Sequence, residues 1–434
     1  MSVIVSFQTE PSGEAMVSLL RAPFDLPNAG QGRRVMLLEL EGGDGKTRGK
    51  QLARLIRRCP PVKDVLRHVL QQNDVDEAVV PIYIRFSDEK VDRLPWEELY
   101  VLPPGFVALD ARWPIARISA RVQILKPRVL RLPFRVVAVL SAARDRPGLP
   151  QFEALVRAVD EAREASLPTR LHVLTGDKEV FDAATKLGEP HITVEWLAAT
   201  RSEVIEQIAA AKPAVLHILC HGGVRAAEPG LQVATPRDFR NRAAVGSVYL
   251  GVNDVARALG AHESWLVVLA ACDSANARTG QSLARALVDA GAPAVIGMRK
   301  ITDLSATDLL VDKLYPQLFR LVKTASEEDT NDRGLEWAPA LTAARQAAAA
   351  GVNLSRDLAW SESILYVQDD VLRFSLDSGA KLSPEEIAEL RAEKEEWEAF
   401  LGRLDPATAP RNLLHDVKAK IQEIDTALAE GIRP

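Results

Sequence analysis

AVLHILCHGG (214–223) and WLVVLAACDS (265–274) are two apolar runs, each ending near a side chain capable of chemistry: His221 in the first, Cys272 in the second. Unbroken apolar runs of this length suit strands buried on both faces, as in a parallel sheet covered by helices. Working outward, RVVAVLSAA (135–143) precedes a helical pattern at 151–166, and LHVLT (171–175) precedes another at 199–211. APAVIGM (292–298) lies between helical patterns at 279–290 and 303–323. Such strand–helix alternation predicts an α/β fold with a doubly wound, mostly parallel sheet and right-handed crossovers. In these sheets reactive groups collect beyond the carboxyl ends of the strands, where loops converge and helix N-termini add positive potential. His221 and Cys272 stand at such ends and come within reach of one another if their strands are neighbours.

The flanks read differently. Residues 1–125 form a β-rich α+β entry segment, with strand-like VIVSF (3–7), VMLLELEG (35–42) and AVVPIYIRF (78–86) and one helical stretch around 50–72. LPWEELY (94–100), strand-like FVALD (106–110) and Arg117 in IARIS complete it. The core is expected over 126–378. It includes an acidic loop, TASEEDTNDRG (324–334), an alanine-rich helix at 337–350, and a strand, SILYVQ (363–368), expected to close one edge of the sheet. Residues 379–434 begin with a capping-type Ser383-Pro384-Glu385-Glu386 and carry two charged helices broken by LDPATAP (404–410). This is a helical hairpin, either a regulatory or docking element or a cover for the sheet.

With 434 residues, 47% hydrophobic and 26% charged, the chain is long enough for two or three cores. Its 54 basic and 59 acidic residues are well mixed and leave a formal charge of −5, so neither nucleic acid nor an anionic membrane is an expected partner. It has no run of 18 apolar residues, and MSVIVSFQTEPSGEAM lacks a basic leader, so a soluble, cytoplasmic protein is expected. Three scattered cysteines, Cys59, Cys220 and Cys272, do not make a disulfide framework, in keeping with a reducing compartment.

A cysteine attacks a carbonyl as the thiolate, and a nearby imidazole both takes its proton and supplies the acid for a departing amine. The tetrahedral intermediate also needs N–H donors. A glycine after the histidine lets a bare backbone N–H approach the oxyanion, which makes Gly222 the candidate donor beside the N–H of Cys272. No cofactor is required.

At these residues the sequence resembles the CHAT family, the caspase-like peptidases of the clan that also holds caspases, metacaspases, separases and gingipains. The matching motifs are His-Ile-Leu-Cys-His-Gly-Gly at 217–223, Leu-Ala-Ala-Cys-Asp-Ser at 269–274 and Ala-Gly-Ala-Pro-Ala-Val-Ile-Gly at 290–297. The stretches Asp303 to Tyr315, Ala340 to Arg345 and Trp360 through Val367 match as well, and LPWEELY with Arg117 looks like the family's entry segment. The resemblance spans roughly residues 80 to 370. It implies a caspase-like core in which His221 is the base, Cys272 the nucleophile, and the amides of Gly222 and Cys272 the oxyanion hole. It further implies a regulated cysteine endopeptidase that cuts a specific protein target in a bacterial defence or cell-death pathway. The sequence shows no tetratricopeptide array or evident nucleotide-sensing domain, so the expected activator is a separate protein or self-assembly. Two other readings stay open: a pseudoprotease scaffold, and a thiol amidase or acyltransferase on another substrate.

Rival sites are weaker. Cys220 alternates away from Leu219 and His221 and reads as a buried small hydrophobe, and Cys59 beside Pro60-Pro61 as structural. His217 and His221 lie four apart on a strand, about 13 Å along the chain, too far to share one zinc ion, so no metal is expected. Gly42-Gly43-Asp44-Gly45-Lys46-Thr47 ends like a phosphate loop, but Leu40 stands where its first glycine belongs, and a hairpin turn between strands is the reading adopted. Ser282, in a stretch like a nucleophile elbow without its last glycine, reads as a helix cap or a solvent-facing residue. Trp96 and Tyr100 read as packing residues, with Glu97 and Glu98 able to line a cleft. Basic-residue specialists of the clan carry an acid two before the nucleophile, where this chain has Ala270. Asp273 and Asp303 remain as candidate pocket acids, Asp303 also reading as a helix cap.

Overall fold

The computed structural model describes residues 2–26, 30–37, 40, 43–71, 79–120, 127–142, 148–225, 228–242, 244–260, 264–276, 281–300, 304–328, 333–377, 384–404 and 411–430. Its N-terminal part supplies β1 (Val3–Thr9), β2 (Glu14–Arg21), β3 (Arg33–Met36), α1 (Gly45–Ile56), α2 (Pro60–Gln71), β4 (Ile82–Phe86), α3 (Glu89–Asp92), β5 (Tyr100–Val101), β6 (Gly105–Phe106) and β7 (Ile115–Ser119). There follow β8 (Arg128–Leu130), β9 (Phe134–Leu140), α4 (Leu149–Glu164), β10 (Thr169–Thr175), α5 (Lys178–Leu187), β11 (Ile192–Trp196), α6 (Arg201–Ala211) and β12 (Val215–Leu219). Next come β13 (His221–Arg225), β14 (Glu228–Val233), α7 (Pro236–Asn241), β15 (Val248–Gly251), α8 (Val252–Gly260), β16 (Leu266–Ala270), α9 (Leu283–Asp289), β17 (Ala294–Met298) and α10 (Leu304–Glu327). The chain closes with β18 (Arg333–Leu335), α11 (Ala338–Ala349), β19 (Ser363–Val367), β20 (Leu372–Leu376), α12 (Pro384–Arg403) and α13 (Arg411–Glu430).

Twelve strands form one sheet in the order β11-β10-β9-β12-β16-β17-β19-β7-β4-β1-β2-β3. Every neighbour from β11 through β17 is parallel. β19 then runs antiparallel to β17 but parallel to β7, and β7, β4 and β1 continue parallel. The result is an α/β fold on a large, mostly parallel mixed sheet: two parallel blocks of opposite direction meet at the β17–β19 seam. Alternating side chains of the strands feed two apolar cores, one on each face, with Leu216, Ile218 and Leu269 in one and Val215, Leu219 and Ala270 in the other.

Several expectations are corrected. SILYVQ does not close an edge: β19 lies inside the sheet, its five residues all buried, because the N-terminal strands extend the sheet beyond it. The Gly-rich stretch after β3 is no turn between strands. Gly43-Asp44 leads into α1, where the Asp44 carboxylate accepts from Thr47 N at 2.7 Å and so caps the helix; Gly42 is outside the described residues. FVALD is mostly a short 3-10 turn over 107–109, and the helical stretch at 50–72 is two helices parted before Pro60. Helix α10 continues past Thr324, where the acidic loop was expected to start, and ends at Glu327. The sequence reading also passed over α5, β11 and the β13-β14-β15 sheet.

LPWEELY is a packing device. Trp96 is buried, and its indole N–H donates to Val91 O at 2.9 Å. Glu97 and Glu98 are buried rather than lining a cleft. Glu97 grips the fully buried Arg117 with two bonds, Nε to Oε1 at 3.0 Å and Nη2 to Oε2 at 2.6 Å, while Asp92 takes Nη1 at 3.0 Å. Tyr366 of β19 donates to Asp92 at 2.8 Å, and Arg299, past the end of β17, stands 3.7 Å from Glu97. Burial alone would lift the Glu97 carboxyl, but Arg117, Arg299 and Arg345 hold it below the usual range. The entry segment is thus bolted to β7, β17 and β19 by charge as well as by apolar packing.

The two C-terminal helices pack on one another, with Val417 and Ile424 buried and ion pairs from Lys394 to Asp425 and from Lys420 to Glu393. No helix among the described residues is long and apolar enough to cross a membrane.

Candidate active site

β12 and β16 are neighbours, paired in parallel from Val215↔Leu266 to Leu219↔Ala270. His221 and Cys272 each lie two residues beyond that last pair, so they leave the sheet at the same height on adjacent strands. The chain crosses over between β9 and β12: β10 and β11 extend the sheet on one side of β9, and β12, β16 and β17 on the other. This is a topological switch point, where a crevice opens beyond the carboxyl ends.

Backbone packing draws the two segments together. A Cβ built on Gly222 would stand 1.8 Å from the Cys272 carbonyl oxygen and 3.5 Å from its nitrogen, so only glycine permits this approach. His221, Gly222 and Cys272 are all half-buried, reachable from solvent yet walled in. Cys220 and Cys59 are buried; Cys220 falls in the opposite core from Leu219, as alternation requires. His217 is also buried, bonded through Nε2 to Gln151 Oε1 at 2.9 Å, and burial drives its pKa down to about 3, so the ring is neutral.

The turn after Cys272 is held tightly. Asp273 takes a left-handed backbone (φ 56°), a conformation that Asp tolerates better than most residues, and its carboxylate accepts from Asn276 Nδ2 at 2.8 Å. Ser274 is buried and does what the sequence did not announce. Its Oγ accepts from Met298 N at 2.8 Å, its carbonyl accepts from Ala284 N at 2.8 Å, and Ala275 N donates to Met298 O at 2.8 Å. The turn is thereby pinned to the end of β17 and the start of α9, where Ser282 caps the helix by accepting from Arg285 N. Asp273 itself is exposed beside Cys272; Asp303, the other candidate pocket acid, lies outside the described residues.

The other wall is the small sheet β13-β14-β15, which begins at His221. Beyond its end, Ala234 N donates to Ser141 O at 2.9 Å, and Ser141 Oγ donates back to Ala234 O, which ties the wall to the carboxyl end of β9. Asp238 organises the return into β15 by accepting from Val245 N and Gly246 N at 2.7 and 2.6 Å. Burial works against its charge, but the backbone N–H groups of Thr235 and Gly246 and the hydroxyls of Ser247 and Thr235 keep its carboxyl below the usual range. Composition and periodicity carry little sign of this wall, because its strands are short and Gly-containing, and β13 is largely exposed.

Among the described residues no cluster of three or more His, Cys, Asp and Glu side chains is placed to hold a metal ion. No curated protein matches the chain in sequence. Among solved structures, the crystal structure of the Arg-specific cysteine proteinase gingipain R is similar at 10% identity and a TM-score of 0.43, covering 73% of this chain and 70% of that one. A complex of the pro- and mature domains of RgpB from Porphyromonas gingivalis is similar at 9% identity and a TM-score of 0.41, covering 73% and 71%. The model of the CHAT domain matches residues 65–366, well over half of the sequence, and the chain belongs to the CHAT domain family.

Proposed function

We propose that this chain is a caspase-like cysteine endopeptidase in which Cys272 is the nucleophile and His221 the acid–base. The observation that carries the reading is the equal height of the two residues on adjacent strands, with Gly222 backed against the Cys272 backbone. The thiol proton passes to the His221 imidazole as sulfur attacks the scissile carbonyl, and the N–H groups of Gly222 and Cys272 receive the oxyanion. The imidazolium returns the proton to the departing amine as the C–N bond breaks, and water, deprotonated by His221, then hydrolyses the thioester. The reaction needs no metal or cofactor.

The substrate in this proposal is a specific protein, cut in the cytoplasm in a bacterial defence or cell-death pathway when a separate protein or self-assembly activates the enzyme. A formed dyad in a cytosolic protein calls for such restraint, and the α12–α13 hairpin, with its largely exposed charged faces, is the proposed docking element. Peptide-library cleavage by the chain with and without candidate partners tests the reading. Cleavage that vanishes on Cys272→Ala supports it, and cleavage that persists in that variant refutes it.

A further inference from the structure

β13 starts at His221 and is the outer strand of its sheet; among the described residues no strand pairs with its other edge. It faces β14 through His221↔Gln232, Gly222↔Leu231, Gly223↔Gly230 and Val224↔Pro229. Antiparallel strands alternate between pairs that exchange two N–H···O bonds and pairs that exchange none. Proline has no N–H, so Val224↔Pro229 is a pair of the second kind, and the N–H and C=O of Val224 point away from β14. Gly222, two residues back, points the same way, which is the direction an oxyanion donor needs. The outer edge therefore offers Gly222 and Val224 in line: Gly222 is half-buried against Cys272, and Val224 is 63% exposed.

The sheet order β12-β16-β17 sets Cys272 between the His221 side and the residues that trail β17, Arg299 and Lys300. A peptide lying across Cys272 has its departing amine at His221, hence its leaving half over β13, and its acyl half toward β17. From this geometry we infer that the substrate segment C-terminal to the scissile bond adds to β13 as a parallel strand. The second residue past the bond donates its N–H to the Gly222 carbonyl and accepts at its own carbonyl from the Val224 N–H. The inference rests on the protease reading and adds to it how the enzyme holds the leaving half: by main chain, with little demand on side chains.

The test uses a peptide that the full chain cleaves, extended four residues past the bond, and the same acyl half carrying an aminomethylcoumarin leaving group. Val224→Pro removes the outward N–H at an edge position that tolerates proline. It is expected to lower kcat/KM for the extended peptide about tenfold relative to the coumarin substrate. Equal effects on both substrates, or none on either, overturn the inference. With the unaltered enzyme, N-methylation of the second residue past the bond is expected to lower kcat/KM about tenfold, a result independent of how the variant folds. Sensitivity to N-methylation only on the acyl side overturns the inference and leaves the protease reading standing. Failure to cleave any library peptide refutes the protease reading, and the inference falls with it.

Discussion

Two polar clusters in this sheet are handled in opposite ways. Around Arg117 the charges are buried and held from several sides: Glu97 by two bonds, Asp92 and Tyr366 by more, with the buried Arg345 and the half-buried Arg299 close by. At the ends of β12 and β16 the reactive side chains are half-exposed, and the tight fastening falls on the backbone beneath them, through Gly222, Ser274 and Ser141. The first cluster pairs its charges with one another inside the protein and supports the fold. The second leaves its side chains partly open to solvent, at the crossover of the sheet, on a scaffold that fixes where they stand.

The contrast is broken most severely at the nucleophile. Cys272→Ala is expected to reduce peptide cleavage at least a thousandfold while shifting Tm by no more than about 1 °C, because a half-exposed thiol contributes little to packing. Glu97→Ala should do the reverse. Leaving Arg117 buried without its two-bond partner costs about 3–5 kcal/mol, read as a lower denaturation midpoint, and any residual folded fraction should retain its activity per folded molecule. Gly222→Ala lies between the two: its Cβ collides with the Cys272 carbonyl oxygen, so the strands must part there, and cleavage should fall about a hundredfold with only modest destabilisation.

The smallest effect is one of pH. Burial, with the neighbouring charge of Asp370, lifts the Glu336 carboxyl to about 7 from its ordinary 4.5. A carboxyl raised in the folded state binds its proton more tightly there than in the unfolded chain. Its contribution to stability is therefore complete below about pH 4.5 and is lost as pH rises through 7. Glu336→Gln, which cannot ionise, should match the parent's Tm near pH 4.5 and exceed it by about 1–2 °C at pH 8. A difference of the opposite sign at pH 8 would remove this reading of Glu336.

The features legible in the sequence are those that local pattern controls. Unbroken apolar runs marked β9, β12, β16 and β17 as interior strands, and their ends pointed to His221 and Cys272 before any pairing was known. The same pattern marks β19, whose five residues are all buried, as an interior strand. Its expected place at an edge failed because neighbourhood in a sheet depends on strands more than half the chain away, β7 and β4 in the entry segment. Glu97 and Glu98 were legible as a pair of acids beside Trp96, but their partners, Arg117 for Glu97 and Arg48 for Glu98, are choices of the fold that spacing does not reveal. The β13-β14-β15 wall stayed hidden for a different reason: its strands are too short to show a period, and its order comes from Asp238, Ser141 and the return to β9.

The central claim is that Cys272 acts as a nucleophile with His221. It is tested most directly by the rate at which iodoacetamide alkylates each cysteine of the folded chain at pH 7, followed by mass spectrometry, in the parent and in His221→Ala. The account predicts that Cys272 reacts far faster than the buried Cys59 and Cys220 and faster than the same cysteine in the denatured chain, and that His221→Ala slows it at least tenfold. A Cys272 that reacts no faster than in the denatured chain, at a rate His221→Ala leaves unchanged, would contradict it.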